Sequence, residues 1–299
     1  MKKQKVEKKI SAANIIINGL IILFTLLIIF FACMLVKETI PYVQSRKEYD
    51  ELQQFILPEE EVVKPSTVIV GNTGAGNGTG AGETASDKVD ETGEGSGKES
   101  GEKVMREATC PMTVDFDALW KVNPDVKGWI YLEALGITYP VVKGETNDDY
   151  IYTSVKGTAN SGGSIFMDYR NSDDFLDPHT LIYGHNMKDG SMFGKLKKLY
   201  DQEFVDEWDA PLCFWIITPE GKYRFDIFSI HTVSASGDTY TLFTGQGDVV
   251  AEYINKMARQ TGVELPQRVY NSEDKVITLS TCTSGDEYRL VVQGVLHVE

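Results

Sequence analysis

The sequence predicts a mainly β domain that follows a single transmembrane helix. From about residue 110 to the end of the chain, short apolar runs of strand length alternate with turn residues, as in an all-β barrel or sandwich. Two longer runs in this region have apolar residues at helical spacing, which predicts helices packed on the β structure. Another long apolar run lies near the N-terminus. We therefore expect a β-barrel decorated with helices and preceded by one transmembrane helix.

The composition limits the classes of function. A length of 299 residues is enough for one sizeable domain with appendages, and the net charge is -15. So acidic a chain lacks the cationic surface that phosphate contacts require, which excludes nucleic acid as a partner. The cysteines show no paired or regular spacing, so they predict neither a disulfide framework nor a zinc site. We expect no metal and no cofactor.

Residues 12–36 are predicted to form a transmembrane anchor. They contain an almost unbroken apolar run without a charged residue, and about twenty apolar residues span a bilayer. The run is longer than the apolar core of a signal peptide and has no small-residue cleavage site, which favours an uncleaved anchor. The lysines of residues 1–11 predict a cytoplasmic N-terminus under the positive-inside rule. We expect a single-pass protein of the cell membrane, in contact with lipid, whose C-terminal domain is extracellular.

Two segments separate the predicted anchor from the β domain. Residues 37–57 are polar with spaced apolar residues, which predicts a helical stalk whose role is spacing. Residues 58–109 contain a long Gly-, Thr-, Ser- and Glu-rich tract with few large apolar residues. Such a tract cannot bury enough apolar surface to offset its ordering entropy, which predicts a disordered linker that tethers the domain. It lacks the GxxxxGK pattern of a phosphate-binding loop.

The predicted folded domain covers residues 110–299. Asp115 is suited to cap a helix over residues 115–122. Helical spacing also occurs at residues 192–206 and 248–261, the latter before the last two strands. The runs of strand length are residues 128–132, 137–142, 164–167, 180–183, 211–217, 223–233, 276–282 and 290–296.

The last two predicted strands contain a candidate nucleophile. The first strand ends on Cys282, residues 283–287 have turn composition, and Arg289 opens the return strand. Strands joined so closely hold Cys282 and Arg289 side by side at one sheet edge. A cysteine is a good nucleophile only as a thiolate, which a cationic neighbour favours. The alternative is that Cys282 is a small buried apolar residue and Arg289 a solvated strand residue.

The chain has four histidines that could act as a base. His185 directly follows an apolar strand and a glycine, where it can face a cysteine at a neighbouring strand end. His179 lies in a predicted turn, which favours capping or solvent exposure. His231 lies within a predicted strand, which favours a buried histidine with satisfied hydrogen bonds, and His297 near the chain end is expected to be exposed.

Three segments together carry a family resemblance. They are TLSTC at residues 278–282, the YRLVVQGVL strand with Arg289, and IYGHNMKDGSMFGKL around His185. In this order they resemble the sortases, and the histidine segment is similar to class B. The resemblance extends from about residue 115 to the end, and the anchor with its tether matches the layout of the family.

The resemblance implies roles for particular residues. Cys282 would be the nucleophile, His185 the general acid and base, and Arg289 the group that stabilises the oxyanion. The residues implied to line the substrate groove are Tyr183, Ser280, Thr281, Asn147 and Ile151. The helix over residues 248–261 corresponds to one that class B members carry, and the implied fold is a sortase-like closed β-barrel.

The implied activity is transpeptidation. The enzyme would cleave a C-terminal sorting motif after threonine through a thioester, and an amine of a peptidoglycan precursor or a pilin would then receive the protein. The implied substrates are surface proteins with an NPxTN-like or xPxTG-like signal. Two alternatives stay open at this point: a tethered cysteine peptidase, in which water resolves the thioester, and a non-catalytic β-barrel that binds a wall component.

Overall fold

The computed structural model describes residues 12–58, 105–282 and 287–298. The predicted cytoplasmic N-terminus, most of the predicted linker and residues 283–286 of the predicted turn lie outside these ranges. The helices are α1 (Ala12–Leu52), α2 (Phe116–Val122), α3 (Gln202–Glu207) and α4 (Asp248–Ala258). The strands are β1 (Ile56–Pro58), β2 (Met112–Val114), β3 (Val126–Leu132), β4 (Ile137–Val142), β5 (Ile165–Met167), β6 (His179–His185), β7 (Cys213–Thr218), β8 (Gly221–Ser234), β9 (Val276–Cys282) and β10 (Tyr288–Leu296).

The strands from β3 to β10 form a closed barrel, in the order β10-β8-β7-β3-β4-β5-β6-β9. The pairs β4–β5 and β6–β9 are parallel, and the other pairs are antiparallel. Side chains alternate between the two faces of each strand, and Ile182, Ile277 and Leu279 are fully buried in the main core cluster. The barrel prediction is confirmed, and the sandwich alternative is excluded.

The predicted helices are present with one difference. α2 begins after Asp115, whose carboxylate accepts a hydrogen bond from the Ala118 backbone N at 2.9 Å. α4 buries the apolar face that its spacing predicted. The single helix predicted over residues 192–206 is instead a 3-10 turn, Leu196–Tyr200, followed by α3. Asp201 has an extended backbone and caps α3 with its side chain, so the helix is interrupted there.

α1 runs without interruption through both the apolar segment and the predicted stalk. It is the one helix of the described ranges that is long and apolar enough to cross a membrane, and its apolar side chains from Ile16 to Val36 are exposed. Its last turns belong to the barrel, because Tyr49 and Leu52 are buried in the main core cluster. Burial of one leucine side chain stabilises a fold by roughly 1.5–3 kcal/mol, so this end of α1 is firmly docked.

The interpretation of residues 37–57 as a spacer only is therefore wrong, since their C-terminal part packs on the barrel. The structure also changes the place of the predicted linker in the topology. β1 pairs with β2 in antiparallel register, from Ile56 opposite Val114 to Pro58 opposite Met112. Both ends of the intervening chain are thus attached to the catalytic domain, and α1 reaches that domain before the linker begins.

Two buried histidines lie on the outer face of the barrel beneath α4. His179 donates from Nδ1 to the Thr241 carbonyl at 2.6 Å, and its Nε2 lies 2.7 Å from Thr278 Oγ1. His231 contacts Ser229 Oγ at 3.0 Å and Thr239 Oγ1 at 3.2 Å. The expected capping or exposure of His179 is wrong, because this residue is a buried part of β6. Burial lowers the pKa of both histidines to about 4.

These pKa values predict a loss of stability in mild acid. A histidine that titrates near 6.5 when unfolded and near 4 when folded binds more protons in the unfolded state between those values. The free energy of unfolding should therefore fall as pH drops below 6.5, by about 1.4 kcal/mol per pH unit for each such histidine. Urea unfolding of the full chain in detergent, from pH 7.5 to 5.0, should show a shallower pH dependence for His231→Gln than for wild type. Equal slopes would mean that His231 keeps its ordinary pKa.

Candidate active site

The register of β6 and β9 brings the predicted base to the predicted nucleophile. In this parallel pair Tyr183 lies opposite Ser280, and His185 lies opposite Cys282. Neighbouring strands are about 4.8 Å apart, and side chains in register share one face of the sheet. Both strands end at this point. The histidine and cysteine positions therefore meet at one edge of the barrel.

The antiparallel pairing of β9 with β10 adds the arginine. Val291 lies opposite Ser280, and the same register continued by two residues along each strand places Arg289 opposite Cys282. Thr281 supports this continuation, because its hydroxyl lies 3.2 Å from the Leu290 backbone N and 3.3 Å from the Leu290 carbonyl. The three positions predicted for catalysis thus lie on three adjacent strand ends.

A loop between β4 and β5 holds the imidazole ring of His185. Nε2 lies 2.7 Å from the Ile151 carbonyl oxygen, which can only accept, so this nitrogen carries a hydrogen. In the neutral ring the lone pair is then on Nδ1. The Tyr152 ring packs beside the imidazole, with 5.4 Å between centroids and an interplanar angle of 33°. The preceding Gly184 allows tight packing, since a Cβ there would lie 2.4 Å from Ile165 Cδ1.

Two of the predicted groove residues are fixed by a buried carboxylate that the sequence did not single out. Asp168 Oδ2 accepts hydrogen bonds from Asn147 Nδ2 at 2.9 Å and from the Tyr183 hydroxyl at 3.1 Å. Arg170 donates to both carboxylate oxygens at 2.8 Å. Burial by itself raises the pKa of Asp168, but the hydrogen bonds from Arg170 and Asn147 outweigh it and lower the pKa to about 2. The only local signal was an aspartate directly after an apolar strand.

The other predicted groove residues differ in exposure. Ile151 contributes its carbonyl to His185, as described above. Ser280 is buried, and its hydroxyl lies 2.9 Å from the hydroxyl of Tyr240, a residue that the sequence also did not single out. Thr281 is buried on the opposite face of β9, with its hydroxyl bonded to the Leu290 backbone. The structure therefore does not bring the Thr281 side chain to the face that bears Ser280 and Cys282.

The cluster around Asp168 predicts the effect of a matched substitution. Asp168→Asn keeps the shape of the side chain but removes the charge that pairs with Arg170, and it places an amide NH2 group where acceptors are needed. Breaking such a buried charged network costs about 3 kcal/mol of folding free energy. We expect that loss in urea unfolding and a higher KM for substrate, because Tyr183 and Asn147 lose their common partner. Asp174→Asn, at an exposed site that caps a local turn, is the control and should leave KM unchanged.

Within the described ranges, no group of three or more His, Cys, Asp or Glu residues is placed to hold a metal ion. The chemistry of the site is therefore considered through its own side chains. A cysteine, an imidazole with a defined tautomer and a guanidinium at one strand edge suit nucleophilic acyl transfer, with proton exchange at the imidazole and charge stabilisation by the arginine.

Comparison with known proteins agrees with this chemistry. The Sortase domain family model matches residues 130–297. Sortase B of Listeria monocytogenes is 36% identical over 183 residues, which cover 60% of this chain and 72% of that protein. The Staphylococcus aureus sortase B–substrate complex is 30% identical with a TM-score of 0.56, and the match covers 61% of this chain and 84% of that chain. A Streptococcus pyogenes class B sortase involved in pilus biogenesis is 31% identical with a TM-score of 0.53, and the match covers 62% of this chain and 98% of that chain.

Proposed function

This chain belongs to the sortase family, and we propose that it is a membrane-anchored class B cysteine transpeptidase that attaches surface proteins to an amine. The observation that carries the proposal is the strand register that sets His185 opposite Cys282 and, continued along β10, Arg289 opposite Cys282. Cys282 is the nucleophile, His185 the general acid and base, and Arg289 the group that stabilises the oxyanion.

The first half-reaction forms a thioester. The Cys282 thiolate attacks the backbone carbonyl of the threonine in the sorting motif, and Arg289 stabilises the negative charge on the oxygen. As the C–N bond breaks, the His185 imidazolium donates its Nδ1 proton to the departing amine. Nε2 stays bonded to the Ile151 carbonyl, which holds the ring in one orientation while Nδ1 exchanges the proton.

The second half-reaction transfers the acyl group. An amine attacks the thioester, neutral His185 accepts its proton at Nδ1, and the C–S bond breaks to restore the thiolate and the imidazolium. An acceptor on a peptidoglycan precursor or a pilin fits this step. The S. pyogenes relative is described as involved in pilus biogenesis and the S. aureus relative is known with a substrate, so both kinds of acceptor have support.

The anchor confines the enzyme to the surface on which its substrates reside. We place the N-terminus in the cytoplasm and the barrel outside, with α1 crossing the bilayer. A surface protein held by its own hydrophobic tail and a lipid-linked wall precursor would share this surface. Confinement raises their effective concentration at the active site without any additional contact.

A peptide panel tests this function. The full chain in detergent is incubated with quenched fluorescent peptides that contain NPxTN, xPxTG or LPxTG motifs, with and without an amine acceptor. We expect cleavage of one motif after threonine, and an amide product when the amine is added. Hydrolysis that no amine diverts would instead identify a cysteine peptidase. Resistance of every motif, together with a Cys282 thiol inert to methanethiosulfonate, would favour the non-catalytic wall-binding barrel.

A further inference from the structure

We propose that Tyr49, near the C-terminal end of α1, is a positioning residue for His185. The inference rests on the proposed function, and it assigns a catalytic effect to the helix that carries the membrane anchor. Three consecutive contacts connect Tyr49 to the imidazole through the loop between β4 and β5.

The first contact joins α1 to the end of this loop. Tyr49 is only 4% exposed, and its hydroxyl donates to the Gly163 carbonyl at 2.6 Å. The same hydroxyl lies 3.2 Å from Ser164 Oγ. The ring packs edge-on against Tyr139, with 5.4 Å between centroids. A buried hydroxyl with two polar neighbours and a fixed ring defines the position of the Gly163 backbone closely.

The second contact lies within the loop. Gly163 has a φ of +54°, and a Cβ at this position would lie 2.0 Å from the Ile151 carbonyl oxygen. The two backbones therefore touch, and only glycine permits this approach. Hydrogen bonds on either side maintain it: Ser164 N donates to the Tyr150 carbonyl at 3.0 Å, and Asn160 N to the Tyr152 carbonyl at 2.9 Å. A displacement of residue 163 is thus transmitted to residue 151.

The third contact reaches the proposed acid and base. The Ile151 carbonyl accepts the hydrogen bond from His185 Nε2 at 2.7 Å, and this bond determines both the tautomer and the direction of Nδ1. An aspartate holds the histidine of a Ser-His-Asp triad in a comparable way. In this chain a backbone carbonyl has that role, so its orientation depends on the loop that supplies it.

α1 also holds the middle of the loop. Glu48 accepts hydrogen bonds from the Lys156 backbone N at 3.2 Å and from the Thr158 hydroxyl at 3.1 Å, and Glu51 pairs with Lys156 Nζ at 2.5 Å. Exposed ion pairs of this kind contribute little to stability. Their location shows that the helix contacts the loop at two separate points, whereas a tyrosine that merely filled the core would require neither.

The test compares two buried tyrosines in the full chain in detergent. Tyr49→Phe removes only the hydroxyl. The matched control is Tyr270→Phe, because Tyr270 is 5% exposed, donates to Gln267 Oε1 at 3.1 Å and belongs to a separate core cluster. For Tyr49→Phe we expect kcat to fall about tenfold with KM nearly unchanged, since misplacement of a catalytic group by 1 Å can cost about 100-fold. In the same samples, ¹⁵N NMR of labelled histidines should show a changed His185 imidazole signal.

The outcomes separate this inference from the proposed function. An active wild type together with equal kcat and unchanged His185 signals in Tyr49→Phe and Tyr270→Phe would overturn the positioning role. If both variants lose activity to the same extent along with thermal stability, the hydroxyl of Tyr49 is only structural and the inference also fails. A wild type that cleaves none of the peptides contradicts the proposed function instead, and the His185 NMR signal then still decides whether Tyr49 controls the imidazole.

Discussion

Cys282→Ala should lower the rate of acyl transfer by at least about 1,000-fold while the barrel stays folded, since removal of a covalent nucleophile eliminates both half-reactions. β9 places this residue at the end of the strand, opposite His185 in β6. The measurements are cleavage of the preferred sorting peptide, and circular dichroism as a check of the fold. Mass spectrometry should also detect an acyl-enzyme on the wild type and none on the variant.

Cys213→Ala is the matched control for this experiment. Cys213 is a buried free cysteine in β7, and burial raises the pKa of its thiol to about 11, so it remains protonated at neutral pH. We expect its removal to change kcat/KM by no more than about twofold, as for substitutions remote from a site. Full activity of Cys282→Ala, or an acyl-enzyme on Cys213, would contradict the assignment of the nucleophile.

His185→Gln should reduce kcat by about 100- to 10,000-fold, the range associated with loss of a general acid and base. The glutamine amide can still donate to the Ile151 carbonyl, so the loop keeps a partner, but it cannot exchange a proton near neutral pH. KM should change much less than kcat, because the walls of the groove are held by Asp168 and its partners. Steady-state kinetics with the preferred peptide would measure both constants.

His297→Gln provides the comparison for this variant. His297 lies just after β10, and its Nδ1 contacts Asp226 Oδ2 at 2.7 Å. Its substitution removes an imidazole from the same chain without touching the edge that bears Cys282, so we expect both kinetic constants to stay near those of wild type. Similar kcat values for His185→Gln and wild type would exclude His185 as the proton donor and acceptor.

Local patterns were sufficient for much of the fold. Strand-length apolar runs and turn residues predicted most strands of the barrel, and the apolar face of α4 followed from its spacing alone. The interrupted helix at residues 192–206 was not predicted, because an extended backbone at Asp201 depends on capping rather than on apolar spacing. His179 was misassigned because its partners, Thr241 and Thr278, are distant in sequence.

The candidate site divides in the same way. Cys282, His185 and Arg289 were identified from motifs, since each stands at a strand end whose flanking residues are local in sequence. Asp168 and Tyr240 were not, because their importance arises from contacts with Tyr183 and Ser280 that only the folded chain creates.

The sequence by itself determined the apolar anchor segment, the mainly β character of the domain, and the residue types that can perform acyl transfer, because all three depend on local composition and spacing. Only the tertiary structure decided the closure of the barrel, the register that sets His185 opposite Cys282, and the docking of α1 against the loop that holds His185. The physical reason is that strand register and helix docking are determined by burial and hydrogen bonds between segments far apart in the chain, such as Tyr49 and Gly163. No local pattern contains that information.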